Sequence, residues 1–181
     1  MNTQLTSSVT PRITSCPQAA VANIKCLEPP ESILLLRRNT SEHDPWSGHY
    51  AFPGGRKEDQ DTSLYDTCVR ETREETGIEL KADLLVKELP PTRAGRNIKA
   101  PILVQPFLFE LAMRPSIKIE PAEIKSFLWL DIALFSDQNN HSTVEVYPGR
   151  DYPVYHLEDY YLWGFTYGLL TRLLGLDVVP D

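Results

Sequence analysis

A stretch fenced by glycine at both ends most constrains what this chain can fold into. Pro53, Gly54 and Gly55 stop what precedes it, and Gly77 stops the run "TSLYDTCVRETREET". Asp61–Thr76 therefore reads as a helix, capped at its start by Asp61 or Thr62 and ended by Gly77. On a wheel of about 100° per residue, Leu64, Tyr65, Cys68, Val69 and Thr72 fill one core-facing arc. Glu71 and Glu75 fall at the edge of that arc, one turn apart, with Glu74 just beyond. Arg70 and Arg73 fall on the outer face, where Arg70 can reach Glu74 or Asp66. Glutamates at a half-buried edge lose hydration and repel each other, so arginines or a cation must compensate them. A hard divalent ion takes carboxylate oxygens together with waters and substrate phosphates. On spacing alone, a metal site and a plain solvated acidic face stand about level.

The flanks are strand-like. "SILLLRR" (Ser32–Arg38) is a short apolar run between prolines and a polar loop, and "HYAF" is a second short strand before the glycines. "ADLLVKEL", "PILVQPFLFELAM" and "IKSFLWLDI" read as further strands. Pro106, inside the second of these, suggests a sheet edge or a bulge. "TVEVYPGRDYPVYHL" reads as a hairpin about "PGRD", and "EDYYLWGFTYGLLTRLLGL" as one amphipathic helix. Residues 1–28, rich in Thr, Ser, Pro and Ala, read as an irregular or flexible arm before a domain at 29–181. The order predicts an α/β fold, a mixed β-sheet with helices on its faces.

With 181 residues and 41% hydrophobic composition, the chain can bury one ordinary core. A net charge of -7 argues against a nucleic acid polymer as partner, but leaves small anionic ligands open. Three cysteines at no metal-binding spacing read as reduced thiols. With no signal-peptide core and no membrane-length apolar run, the expectation is a cytoplasmic protein with no membrane contact.

"PGG" followed by "RETREETGI" resembles the signature of the Nudix hydrolases, G-x5-E-x7-R-E-U-x-E-E-x-G-U, with U a bulky aliphatic residue. Arg70, Glu71, Glu74, Glu75, Gly77 and Ile78 match its second half, and Thr72 stands at a U position. In the first half, Asp61 stands where the first Glu would be, and eight residues rather than seven separate it from Arg70. "LLLRR", "GHYAFPGG" and "YYLWGFTYGLL" are similar to the coenzyme A pyrophosphatase branch of that family, with part of its upstream signature altered.

The resemblance implies a Nudix-type α/β/α sandwich and hydrolysis of a nucleoside diphosphate linked to another moiety. Coenzyme A-type substrates, ADP-ribose and similar compounds are the candidates. It implies Mg2+ as cofactor, with Mn2+ able to substitute, held by Glu71, Glu74, Glu75 and the carbonyl of Gly55. Arg70 would orient the glutamates. Glu71, Glu74 and Glu123 are all candidates for the general base, and the role of Asp61 stays open. Arg forks suit phosphate oxygens, which makes Arg38, Arg56, Arg93 and Arg96 candidate substrate contacts. The alternative is a catalytically silent Nudix module that binds a nucleotide as a sensor. A homodimer is compatible with either.

Overall fold

In the computed structural model, which describes residues 16–40, 47–95 and 101–176, the strands form one large mixed sheet and one small antiparallel sheet. The large sheet contains β1 (Ala19–Cys26), β2 (Ser32–Arg38), β3 (Tyr50–Ala51), β4 (Gly54–Arg56), β5 (Leu85–Glu88), β6 (Thr92–Ala94), β7 (Ile102–Leu111) and β8 (Ile124–Asp131). Helix α1 spans Leu64–Thr76 and the short α2 spans Ile132–Ser136. The small sheet contains β9 (His141–Tyr147), β10 (Arg150–His156) and β11 (Tyr161–Trp163), and α3 (Gly164–Leu173) follows.

Strand alternation divides the core in two. Leu34 and Leu36 of β2 face α1, in a cluster with Ile24, Cys68, Phe107 and Phe109. Ile33 and Leu35 face the other way, onto Phe52, Phe135, Leu162, Leu169 and Leu170. Each of these large side chains contributes roughly 1.5–3 kcal/mol by burial. The result is the α/β/α sandwich, with α1 on one face and α3 on the other.

The sheet opens as a wedge. β1 and β2 pair at Lys25↔Ile33 and Cys26↔Ser32, then part. β3 pairs with β2 at Leu36 and Arg37, and β4 pairs with β1 at Ala19–Val21. The Phe52–Pro53 link therefore crosses the wedge, and α1 contacts β1 and β4 beside it. Gly54 has φ +144°, and a Cβ there would overlap the backbone of Ala20 and Val21, so only glycine fits the crossing.

Three expectations need correction. The proposed arm to residue 28 contains β1, which is interior: it pairs in parallel with β7 from Ala19↔Val104 to Cys26↔Leu111. Its alanines made it look weak, but Ala20 and Ala22 are fully buried under α1, where small side chains allow close approach. β7 is also interior. Pro106 falls where β5, opposite Phe107–Phe109, gives way to β6, opposite Ile102–Val104, so its missing N–H lies at that gap. The final predicted helix begins late, because Tyr161–Trp163 pair with β10 as β11. No helix among the described residues is long and apolar enough to cross a membrane.

Candidate active site

The loop before α1 is wound around one carboxylate. Asp61 accepts from the Glu58 N–H at 2.9 Å and from the Thr67 hydroxyl at 2.9 Å. Ser63, not Asp61 or Thr62, caps the helix. Its side chain accepts from the Asp66 N–H while Asp66 accepts from the Ser63 N–H. Asp61 is thereby free to receive the fork of Arg70, with Nε at 2.9 Å from Oδ1 and Nη2 at 3.0 Å from Oδ2.

This overturns the expected outward placement of Arg70. The wheel treats that helix face as solvent, but the loop folds back over it, and the Arg70 side chain is 11% exposed. Its Nη1 also meets Glu74 at 2.9 Å and Glu71 at 3.0 Å, and Nη2 donates to the Arg56 carbonyl at 3.2 Å. Asp66, another expected partner, is used by the cap. The Arg70 fork holds the Asp61 carboxyl well below the usual carboxylate range, and the same bond raises the guanidinium pKa. The longer loop thus serves as a clamp on the arginine that orients two glutamates.

Glu75 is 3% exposed, and its Oε2 accepts the Gly54 N–H at 2.9 Å. Burial pushes its carboxyl up to about 8, the Glu71 and Glu123 charges push the same way, and the Gly54 N–H and Arg38 oppose them. Glu71 is also raised, chiefly by burial, with Arg70 opposing and Glu74 and Glu123 adding to the rise. Glu123, in the turn before β8, therefore acts on both glutamates, and Arg38, at the end of β2, acts on Glu75. Among the described residues, no three acidic, histidine or cysteine side chains already surround one ion-sized point. Glu74 is turned outward to Arg70, with its side chain 51% exposed.

Gly55 stands directly against Glu71. A Cβ at Gly55 would overlap the Glu71 carboxylate on all three of its terminal atoms. The overlap is with the end of a flexible side chain, so Gly55→Ala displaces that carboxylate while the backbone stays in place. Gly55→Ala is expected to cut turnover at least tenfold and to shift unfolding by less than about 1 kcal/mol. Parallel kinetics and urea denaturation check this, and equal losses in both would count against it.

Two other candidate cations, Arg56 and Arg93, are exposed. Arg56 is exposed on β4 and lines a surface hollow of about 480 Å³ with Pro17, Gln18 and Lys57. Arg93 is exposed on β6 opposite Leu103. Leu103 takes the Gln18 N–H and Gln18 takes the Lys57 N–H, so Arg93 sits about three strand spacings, roughly 14 Å, from Lys57. Arg96 lies outside the described residues. The sequence reading missed the Gly54 N–H on Glu75. The glycine itself was the signal, since a backbone amide can approach a carboxylate closely where no Cβ intervenes.

A family model described as NUDIX domain matches residues 17–148. Over 167 residues the chain is 28% identical to an Escherichia coli protein named as the uncharacterized Nudix hydrolase NudL, covering 90% of this chain and 84% of that one. It is 33% identical over 107 residues to an uncharacterized protein of Schizosaccharomyces pombe. That match covers 56% of this chain and spans only 32% of the relative's length. The NUDIX domain of Shewanella oneidensis NrtR, solved with ADP ribose, is similar at TM-score 0.53 and 19% identity, covering 64% of this chain and 72% of that one.

Proposed function

The chain belongs to the NUDIX domain family, and from that premise we propose that it hydrolyses the pyrophosphate linkage of a nucleoside diphosphate joined to another moiety, using Mg2+. Coenzyme A-type linkages lead the candidates, on the partial branch signature. ADP-ribose follows, the ligand solved with the similar Shewanella domain. Mg2+ would be held by Glu71, Glu74, Glu75 and the Gly55 carbonyl, with Mn2+ able to replace it.

One observation carries the reading. Glu71 and Glu75 are both raised, chiefly by burial, with Glu123 adding negative charge to each and Glu71 adding to Glu75, while Arg70 at Glu71 and Arg38 at Glu75 offset only part of it. An all-oxygen donor set with surplus negative charge fits a hard divalent cation. Bound divalent ions neutralise phosphate oxygens and lower the pKa of a coordinated water.

The protein's own groups do the rest. The Gly54 N–H fixes Glu75, and Arg70, clamped by Asp61, fixes Glu71. A water attacks one phosphorus in line, and Glu71, Glu74 or Glu123 takes its proton. Arg38, at the strand end beside Glu75, is placed to meet phosphate charge, with Arg56 and Arg93 further along the sheet. The products are a nucleoside monophosphate or related phosphate and the remaining phosphorylated half.

The test is a hydrolysis screen with and without Mg2+ over coenzyme A, ADP-ribose, NADH, dinucleoside polyphosphates and nucleoside triphosphates. Turnover of at least one, strictly dependent on metal, is expected. Tight nucleotide binding with no turnover of any compound would replace this reading with the silent sensor.

A further inference from the structure

Asn39, the residue after β2, bonds to three other points of the chain. Its N–H donates to the Glu123 carbonyl at 2.8 Å, and its Nδ2 donates to the Pro121 carbonyl at 2.8 Å. Its own carbonyl accepts the Gly48 N–H at 3.3 Å. The preceding Arg38 N–H donates the other way, to the His49 carbonyl at 3.0 Å. The end of β2 is therefore held on both sides, by the segment that leads into β3 and by the turn that leads into β8.

The turn that Asn39 grips is closed on itself. The Glu123 and Ile124 N–H groups both donate to the Glu120 carbonyl, at 3.1 and 2.8 Å, and the Glu120 carboxylate accepts the Ala122 N–H at 3.1 Å. Its second anchor is the C-terminal end of α1. The Glu75 carbonyl accepts the Glu120 N–H at 3.1 Å, and the Thr76 carbonyl accepts the Lys118 N–H at 2.9 Å. Both are carbonyls that a helix end leaves without a partner of its own. One side of the turn is thus bonded to the backbone of Glu75, and the other to the strand end that carries Arg38. Glu123 belongs to this turn, and its charge acts on both Glu71 and Glu75.

Stability gives little reason for the Asn39 side chain. Its bond to Pro121 is exposed to solvent, so it contributes only about 0.5–1.5 kcal/mol. Without that amide the Asn39 N–H still donates to Glu123, so the turn stays attached. What is lost is the second bond, which stops the turn from pivoting about the first. A shift of about 1 Å at a group that serves the chemistry can cost on the order of a hundredfold. We propose that Asn39 is a positioning residue: its side chain locks the Glu120–Glu123 turn to the end of β2 and so fixes Glu123 at the Glu71–Glu75 metal site. The inference rests on the hydrolase reading for the metal and the reaction, while the turn and its two anchors stand without it.

The test separates binding from turnover. Mn2+ is titrated by calorimetry, without substrate, into wild type, Asn39→Ala, Glu123→Gln and the double variant. Asn39→Ala is expected to weaken Mn2+ about 3- to 10-fold. On any compound that is turned over, it should lower kcat about tenfold and leave KM within about twofold. In the Glu123→Gln background the same change should alter each quantity by less than about twofold, because the turn then has no charge to place. Urea unfolding of Asn39→Ala should shift by no more than about 1.5 kcal/mol. Full Mn2+ affinity in Asn39→Ala, an equal loss with and without Glu123, or a collapse of the fold would each overturn the proposal. Mn2+ binding that shows this coupling in a protein that hydrolyses nothing would keep Asn39 in its role and remove the hydrolase. Wild type that binds no Mn2+ would remove the metal site and this proposal with it.

Discussion

Glu75→Gln is expected to lower turnover by about a thousandfold and, in the absence of metal at pH 8, to leave a protein more stable than the wild type. The loss of activity follows if the carboxylate holds metal, since an amide is neutral. The gain in stability follows from burial. An ordinary glutamate titrates at 4.5, and Glu75 in the folded protein is pushed up to about 8. Between those values the folded state keeps a proton that the unfolded chain has released. Stability therefore falls as pH rises through that window. Glutamine has no such proton to lose, and its carbonyl oxygen can still accept the Gly54 N–H. The variant should gain on the wild type steadily from pH 4.5 to pH 8, by on the order of a few kcal/mol at the upper end. Mg2+ should reverse the order by binding the deprotonated wild type. Melting curves across that range, with and without Mg2+, decide it. Equal turnover by the two proteins would sink the proposed metal site.

Asp61→Ala should be the most damaging change in the loop, at about 3 kcal/mol. It strips the paired acceptors from Arg70, whose side chain is 11% exposed, strands the Glu58 N–H, and leaves the Thr67 hydroxyl only the Ser63 carbonyl at 3.2 Å. Asp61→Asn should cost less, since it still accepts from Thr67 and Glu58 but loses the charge. The sign against pH is opposite to that of Glu75. The Asp61 carboxyl is held below its ordinary value, so its contribution is present above pH 3.8 and is lost as pH falls below that. The gap between wild type and Asp61→Ala in urea unfolding should stay level from pH 7 down to about pH 4 and shrink below pH 3.8. A gap that stays constant would mean that the Arg70 ion pair contributes nothing.

The helix was legible because its period and its end are announced locally, although its cap is Ser63 rather than the expected Asp61 or Thr62. Gly77 takes φ +72°, a left-handed stop, and the apolar period correctly puts Glu75 against the core. Periodicity could not show that a loop would cover Arg70, because a wheel knows only its own helix. β1 was hidden for a related reason. "AAVA" has little apolar bulk, and its burial comes from β7 and α1, which lie far along the chain. Tyr161–Trp163 looked helical because Leu162 keeps step with Phe165 and Leu169. The pairing with β10 prevails where local propensity is indifferent. Asn39 carried no local sign of its bond to Pro121, since the two meet only through the tertiary fold.

The interior place of β1 also sets an order of assembly. Asn23 of β1 donates to the Phe107 carbonyl of β7 across a separation of 84 residues. The strand made early on the ribosome must wait for one made much later before its long edge is filled. Such distant parallel pairing slows folding and prolongs the exposure of an unpaired apolar edge. During that wait, the short hairpin contact between β1 and β2 at Cys26 and Ser32 is the part of the sheet that can close early. Newly made chain should therefore be most open to proteases and chaperones until about Leu111 has emerged.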